Sequence, residues 1–214
     1  MQQSEVTALA ESTPWEALPD TKTVERTAES LRANGFKVDV VADRKAAIGK
    51  IGSLIPDGAR VMTASSATLD AIGLTKILSE ENHPWVNLKG RIVSEQDPQK
   101  KAELRRQAIF ADYFLGSVHA VTETGHLVAG SASGSQLAAY AYGGDNLILV
   151  VGAQKITANL DEALLRLREH SVPLEDARMK RLGARGTVLS KVLIYEREPW
   201  RNVHVVIINE KLGF

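Results

Sequence analysis

The first residues that could do chemistry form a hydroxyl-rich segment, Thr63-Ala64-Ser65-Ser66-Ala67-Thr68. The segment follows a predicted strand and opens a predicted helix. Hydroxyls and unpaired backbone N–H groups would therefore lie at the positive end of a helix dipole, where phosphate or carboxylate binds. A Ser/Thr helix cap without a ligand explains the same pattern, so both interpretations stay open. The candidate ligand-binding residues are Thr63, Ser65, Ser66 and Thr68.

The same segment indicates neither ATP nor NAD. It lacks the Gly-x-x-x-x-Gly-Lys of a nucleotide P-loop and the three glycines of a dinucleotide-binding turn. We therefore expect no cofactor, and any anion bound here would be a small metabolite.

A second candidate segment runs from residue 117 to residue 126 and contains His119, Glu123 and His126. It follows a predicted strand, and crevices at the carboxyl ends of strands are where open α/β sheets bind ligands. The spacing is not the His-Glu-x-x-His of a zinc helix, so we expect no metal. Glu123 could be a turn residue, or a general base or nucleophile. The candidates are Glu123 for catalysis, and His119, Thr124 and Gly125 for ligand binding.

Two further segments add polar groups to the predicted strand ends. Residues 130–135 form a run of Gly, Ser and Ala that either lets a ligand approach the backbone or is a flexible loop. Lys155 follows the apolar run 147–151, where it could neutralise an anionic ligand or lie in solvent. The candidates in these segments are Ser131, Ser133, Gly134 and Lys155.

The composition excludes several classes of function. Lys plus Arg and Asp plus Glu both number 26, so no net charge favours nucleic acid or an anionic membrane as a partner. The chain has no cysteine, which excludes disulfides, a thiolate nucleophile and a Cys-ligated iron–sulfur cluster. The first twenty residues do not resemble a signal peptide, and no apolar stretch approaches the roughly 18 residues of a membrane span. We expect a cytoplasmic protein.

Predicted strands and helices alternate along the chain. Caps and apolar spacing predict helices that begin at Asp20, Asp43, Thr68, Asp97, Asn159 and Pro173. Short apolar or alternating runs predict strands at residues 36–41, 59–63, 113–118, 126–129, 147–151, 192–195 and 203–208.

This alternation predicts an α/β protein of three layers, with helices on both faces of a mostly parallel central sheet. The apolar run 147–151 is typical of a strand buried on both faces. We expect the last two strands to add an antiparallel edge. Residues 1–19 are predicted to be a loose arm, and residues 20–214 a single domain.

Several segments resemble the lactate-utilisation (LUD-domain) family as a set. They are Ala111-Asp112-Tyr113, Val118-His119-Ala120-Val121-Thr122-Glu123-Thr124-Gly125-His126-Leu127-Val128, Val150-Val151-Gly152-Ala153-Gln154-Lys155-Ile156, Leu160-Asp161-Glu162-Ala163-Leu164 and Pro173-Leu174-Glu175-Asp176. The end of the chain, from Lys191 onward, is similar to that of the short, single-domain members. The resemblance covers about residues 20 to 214.

The resemblance implies the fold of ribose-5-phosphate isomerases, glucosamine-6-phosphate deaminases and CoA transferases. It further implies, for some members, a part in oxidising L-lactate to pyruvate with iron–sulfur partner subunits. In that fold the ligand lies over the strand ends against a Ser/Thr/Gly-rich turn, here residues 63–68, and the Thr-Glu-Thr-Gly turn comes close to it. The resemblance thus joins the first two candidate segments into one site.

Three functions remain open from the sequence. The first is a protein of the lactate-utilisation type that binds a small carboxylate or phosphorylated metabolite. The second is an isomerase or CoA-transferase-like enzyme that uses Glu123, by analogy of fold. The third is a non-catalytic subunit of a redox complex, which is favoured by residues 131–136, where the chain lacks the Asp and the Arg of short family members. A homo-oligomer and iron–sulfur subunits are the protein partners to consider.

Overall fold

The computed structural model describes residues 14–80 and 83–214. The α-helices are α1 (Thr21–Ala33), α2 (Arg44–Leu54), α3 (Ala67–Ala71), α4 (Leu74–Ser79), α5 (Leu88–Ser94), α6 (Pro98–Gln107), α7 (Ser135–Ala141), α8 (Leu160–Arg166) and α9 (Val172–Arg181). The strands are β1 (Lys37–Val41), β2 (Arg60–Thr63), β3 (Val86–Asn87), β4 (Tyr113–Gly116), β5 (Ala120–Thr122), β6 (Leu127–Ser131), β7 (Asn146–Gly152), β8 (Ile156–Thr157), β9 (Lys191–Tyr195) and β10 (Asn202–Ile208).

Helix starts follow the predicted caps because a cap is a local interaction. The side chains of Asp20, Asp43 and Asn159 each accept a hydrogen bond from a backbone N–H three residues later. Asp97 caps α6 in the same way, with Pro98 at the first helical position. The helix predicted from Thr68 is divided into α3 and α4, because Gly73 lies in the left-handed region with φ of 83°.

The central sheet has six strands in the order β1-β10-β7-β4-β2-β3, and every neighbouring pair is parallel. Strand β7 lies between β10 and β4, and all its residues after Asn146 are buried. The prediction of a mostly parallel sheet with helices on both faces is confirmed. The short elements β3 and α5 were not predicted from the sequence.

Alternate residues of β7 face two separate cores, as the period of two in a strand requires. Leu147, Leu149 and Val151 pack with residues of α1, α7 and the second sheet. Ile148 and Val150 pack on the opposite face with residues of α2, α3 and α4. Helices thus cover both faces of the central sheet, which makes three layers.

A second sheet of four strands, in the order β8-β5-β6-β9, packs on the side of α1 and α7. Strand β5 pairs with β8 in parallel and with β6 antiparallel, and β6 pairs with β9 antiparallel. The outer face of this sheet packs against Ala163 and Leu167. Two expectations were therefore wrong. Glu123 lies in a hairpin of the second sheet rather than after a central strand, and β9 and β10 form no antiparallel edge, because they lie in different sheets.

Part of the predicted arm is ordered against the domain. Residues 14–16 form one turn of 3₁₀ helix. The ring of Trp15 lies 5.9 Å from that of His170, and its backbone oxygen accepts a hydrogen bond from Arg166 at 3.4 Å. Residues 1–13, which include most of the predicted arm, lie outside the described residues, as do Glu81 and Asn82.

Candidate functional site

A cleft of about 440 Å³ opens at the carboxyl ends of three neighbouring strands of the central sheet. Its lining includes residues 62–68, which end β2 and lead into α3, and residues 117–119, which follow β4. Lys155, in the 3₁₀ turn after β7, also lines it. Strand-end crevices are where open α/β sheets bind ligands, so this cleft is the candidate site.

Lys155 forms the floor of the cleft and is 2% exposed. Its Nζ donates to Thr68 Oγ1 at 2.8 Å and to the Val118 carbonyl oxygen at 3.1 Å, and it lies 3.2 Å from Ser117 Oγ. The sequence alone does not show whether this lysine lies in solvent. The lysine does not, because three strand ends enclose it.

Burial lowers the pKa of the Lys155 amine well below its ordinary value, and the positive charge of Arg166 lowers it further. No carboxylate in residues 14–80 or 83–214 forms an ion pair with Lys155. Without a bound anion, the surroundings of Lys155 therefore disfavour a positive charge on its amine.

Hydrogen bonds to the backbone of Ser117 hold this residue next to Lys155. Its N–H donates to the Tyr140 hydroxyl at 3.1 Å, and that hydroxyl donates back to the Ser117 carbonyl oxygen at 2.9 Å. Gly116 makes room for the tyrosine, because a Cβ at this position would lie 1.9 Å from the hydroxyl oxygen. Ser117 and Tyr140 were not among the candidates from sequence, although Ser117 is the first residue after a strand.

His119 lines the cleft as a neutral imidazole. Its Nδ1 accepts a hydrogen bond from the Gly130 N–H at 3.0 Å, so its ring proton lies on Nε2. Burial, together with the charges of Lys155 and Arg166, lowers the pKa of His119 to about 3. At neutral pH the ring can donate from Nε2 without carrying a charge.

Arg166 holds the segment that carries these side chains. It is fully buried at the end of α8, and its Nη1 donates to the His119 carbonyl oxygen and, at 3.0 Å, to Ser171 Oγ. Burial lowers its pKa to about 10, against the opposing effect of Glu16. Nothing in the sequence distinguishes this arginine from the other charged residues of the helix. Its role depends on long-range packing.

Cations also lie on the walls and rim of the cleft. Lys89 is half-buried, and its Nζ donates to the Ala64 carbonyl oxygen at 3.2 Å. Burial lowers its pKa, although the carboxylate of Asp70 acts in the opposite direction. Arg105 is exposed at the rim, and Arg178 donates to Ser65 Oγ at 2.9 Å. Among the described residues, Lys89 forms no ion pair with a carboxylate.

The rest of the lining is mostly apolar. Apolar residues of the walls include Met62, Ile92, Val93, Ile109, Phe114, Val172, Met179, Val188, Leu189 and Phe214. A volume of this size with apolar walls and a few convergent polar groups is typical of sites that bury a ligand larger than a three-carbon acid.

The cleft brings together most of the residues predicted from sequence. Those that line it are Thr63, Ser65, Ser66, Thr68, His119, Ser131, Ser133 and Lys155. The capping interpretation of the hydroxyl-rich segment also describes a real contact, because Ser66 Oγ accepts from the Leu69 N–H at 3.3 Å. Thr68 Oγ1 is committed to Lys155 and to the Leu212 carbonyl oxygen.

Four predicted residues do not line the cleft. The carboxylate of Glu123 accepts hydrogen bonds from Arg26 of α1. The backbone oxygens of Thr124 and Gly125 both accept from Asn34 Nδ2 at 3.0 Å, so the whole hairpin turn faces the end of α1. Gly134, with φ of 86°, is the N-cap residue that precedes α7. The expected approach of the Thr-Glu-Thr-Gly turn to residues 63–68 does not occur.

Within the described ranges, no group of three or more His, Asp or Glu side chains is arranged to hold a metal ion. None of the helices in that part of the chain is both long enough and apolar enough to cross a membrane.

Comparisons with known proteins agree with this architecture. A family model described as the LUD domain matches residues 24–208. A crystal structure of a DUF162 family protein from Deinococcus radiodurans superimposes with a TM-score of 0.51 and 13% sequence identity, covering 90% of this chain and 100% of that one. At this identity the likeness supports the fold alone. No curated protein matches the chain significantly.

Proposed function

The chain belongs to the LUD-domain family, and we propose that its cleft binds a small organic anion, a carboxylate or a phosphorylated metabolite, that also carries an uncharged portion. The observation that carries this proposal is the pair of lysines, Lys89 and Lys155, that line one cleft without a partner carboxylate among the described residues.

The anionic group of the ligand would be anchored at Lys89. The Nζ of this lysine donates one hydrogen bond within the protein, to Ala64, which leaves two N–H groups for a ligand. Asp70, the acid that acts on Lys89, and Glu175, which lines the cleft, are paired with Arg178 instead. A carboxylate or phosphate would complete the hydrogen bonds of Lys89 and stabilise its charged form.

The uncharged portion would lie along the apolar walls and over the floor. Lys155 already has three neighbours within hydrogen-bond distance. It is therefore a weaker anchor for an anion than Lys89, which has one such neighbour. The lactate-utilisation context of the family makes 2-hydroxy and 2-oxo acids the first ligands to test, and the cleft volume favours those with an apolar side chain.

Isothermal titration calorimetry with lactate, pyruvate, longer 2-hydroxy and 2-oxo acids, sugar phosphates and acyl-CoAs tests the proposal. We expect the best ligand to bind about 10- to 100-fold more weakly to Lys89→Met, because a hydrogen bond to a charged group contributes about 1.5–3 kcal/mol. The control is Lys76→Met, which removes an exposed lysine of α4 that does not line the cleft. The proposal fails if no compound binds, or if both variants bind like the parent protein.

A further inference from the structure

The neighbours of Lys155 leave the lone pair of its neutral amine within reach of the Ser117 hydroxyl. The Val118 carbonyl oxygen can only accept, and Thr68 Oγ1 has the Leu212 carbonyl oxygen, at 3.3 Å, as an acceptor for its own proton. A neutral amine has two protons and one lone pair, so Val118 and Thr68 take the two protons. Ser117 Oγ lies 3.2 Å from Nζ and can donate to this lone pair. The other acceptors within its reach are Thr68 Oγ1 at 3.2 Å and the Val118 carbonyl oxygen at 3.3 Å.

Ser117 is also the more accessible of the two hydroxyls beside Lys155. Thr68 is 1% exposed, whereas Ser117 is partly exposed and lines the cleft. The two hydrogen bonds between the Ser117 backbone and Tyr140 fix the Cα from which the hydroxyl projects. A nucleophile needs such a fixed position because effective attack requires a small range of distances and angles.

His119 supplies a donor to the same cleft. With Nδ1 occupied by the Gly130 N–H, the proton on Nε2 has no acceptor among the described residues. Preorganised neutral donors of this kind stabilise negative charge that develops on a carbonyl oxygen. The cleft therefore presents a hydroxyl from Ser117, a base from Lys155 and an oxyanion donor from His119.

We propose that Ser117 and Lys155 form a nucleophile–base pair that transfers acyl groups, with the Nε2–H of His119 as donor to the oxyanion. Ser117 Oγ attacks the carbonyl carbon of an ester or thioester, and its proton passes to Lys155 Nζ. The tetrahedral intermediate collapses as the bond to the leaving alcohol or thiol breaks, and that group takes the proton from Lys155. Water then attacks the carbonyl carbon of the acyl-serine and passes a proton to Lys155 Nζ. As the bond to Ser117 Oγ breaks, that oxygen takes the proton from Lys155, which releases the carboxylic acid and restores Ser117.

The substrate class follows from the rest of the cleft. The acyl ester or thioester carries a carboxylate or phosphate, which Lys89 binds, and an apolar portion that lies along the walls. This assignment of the anionic end rests on the proposed function, whereas the assignment of Ser117 and Lys155 does not. Failure of one is therefore distinguishable from failure of the other.

The test uses a fluorophosphonate probe, which forms a phosphorus–oxygen bond with an activated serine and releases fluoride. The chain of 214 residues is incubated with the probe, and the adduct is located by intact mass and peptide mapping. We expect one adduct, on Ser117, that is absent from Ser117→Ala and formed at least tenfold more slowly by Lys155→Met. The control Ser53→Ala removes an exposed serine of α2 that does not line the cleft, and this variant should label at the parent rate.

A measurement on the unaltered protein covers the case in which Lys155→Met fails to fold. The labelling rate should rise with pH, as Lys155 loses its proton, and should level off below the ordinary lysine value. Absence of an adduct on Ser117 overturns the proposal, as does a rate that keeps rising with hydroxide beyond that value. If metabolites bind through Lys89 but Ser117 does not react, the pair is disproved and the binding site stands.

Discussion

The hydroxyl of Tyr140 bridges the N–H and the carbonyl oxygen of Ser117, at 3.1 and 2.9 Å. The Tyr140 side chain, from α7, thus bonds the backbone of the residue that follows β4. A backbone partner would have made these hydrogen bonds if β4 were longer. The tyrosine is 2% exposed, and its ring packs edge-to-face against Phe114 at 6.0 Å. Burial raises the pKa of its hydroxyl, which therefore stays protonated.

Tyr140→Phe should keep this packing and lose both hydrogen bonds. Two backbone groups would remain without a partner inside the protein, so we expect the free energy of unfolding to fall by about 1–3 kcal/mol. Urea unfolding measures the change. Tyr142→Phe, in which the parent side chain is 80% exposed, should change stability by less than about 0.5 kcal/mol. A Tyr140→Phe protein as stable as the parent would show that the bridge contributes nothing.

His119 should make the protein sensitive to mild acid. Its folded pKa of about 3 lies below the unfolded value of 6.5, so between these values the unfolded chain binds a proton that the folded protein does not. Stability is therefore unaffected above pH 6.5, falls as the pH drops through 6.5 and levels off near pH 3. Linkage gives a loss of about 2 kcal/mol between pH 7 and pH 5 from this group alone.

His119→Asn tests that contribution, because the Oδ1 of Asn can replace Nδ1 as the acceptor for the Gly130 N–H and does not titrate. The difference in unfolding free energy between pH 7 and pH 5 should be smaller in the variant by about 2 kcal/mol. Equal pH dependence in the two proteins would mean that His119 is protonated in the folded state or exposed to solvent.

Glu123→Gln should have little effect on ligand binding or on the labelling of Ser117. Its carboxylate contacts Arg26, and the two side chains are 28% and 56% exposed, so the ion pair contributes less than about 1 kcal/mol to stability. Calorimetry with the best ligand and the labelling rate of the variant provide the check. Loss of ligand binding or of Ser117 labelling would make Glu123 a candidate catalytic residue again. The hairpin would then have to reach the cleft.

The sequence by itself determined the local structure. Asp20, Asp43, Asp97 and Asn159 each cap a helix through a backbone N–H two or three residues away, so a short stretch of chain contains all the partners. The apolar run of β7 likewise predicted a strand buried on both faces. The hydroxyls of residues 63–68, His119 and Lys155 were recognised because each follows a predicted strand, and parallel strands end at the same edge of a sheet.

The tertiary structure alone decided which of these residues meet. Lys155 contacts Thr68 and Ser117, which are 87 and 38 residues distant in the chain, and those contacts depend on the strand order β7-β4-β2. Hydrophobic periodicity predicts that a strand exists but does not give its neighbours, because every buried strand presents similar apolar faces. For that reason β10 was expected at an edge and lies inside the sheet. For the same reason the sequence did not show that Glu123, which is near His119 in the chain, contacts Arg26. Nor did it show that Lys155 lies beside Ser117.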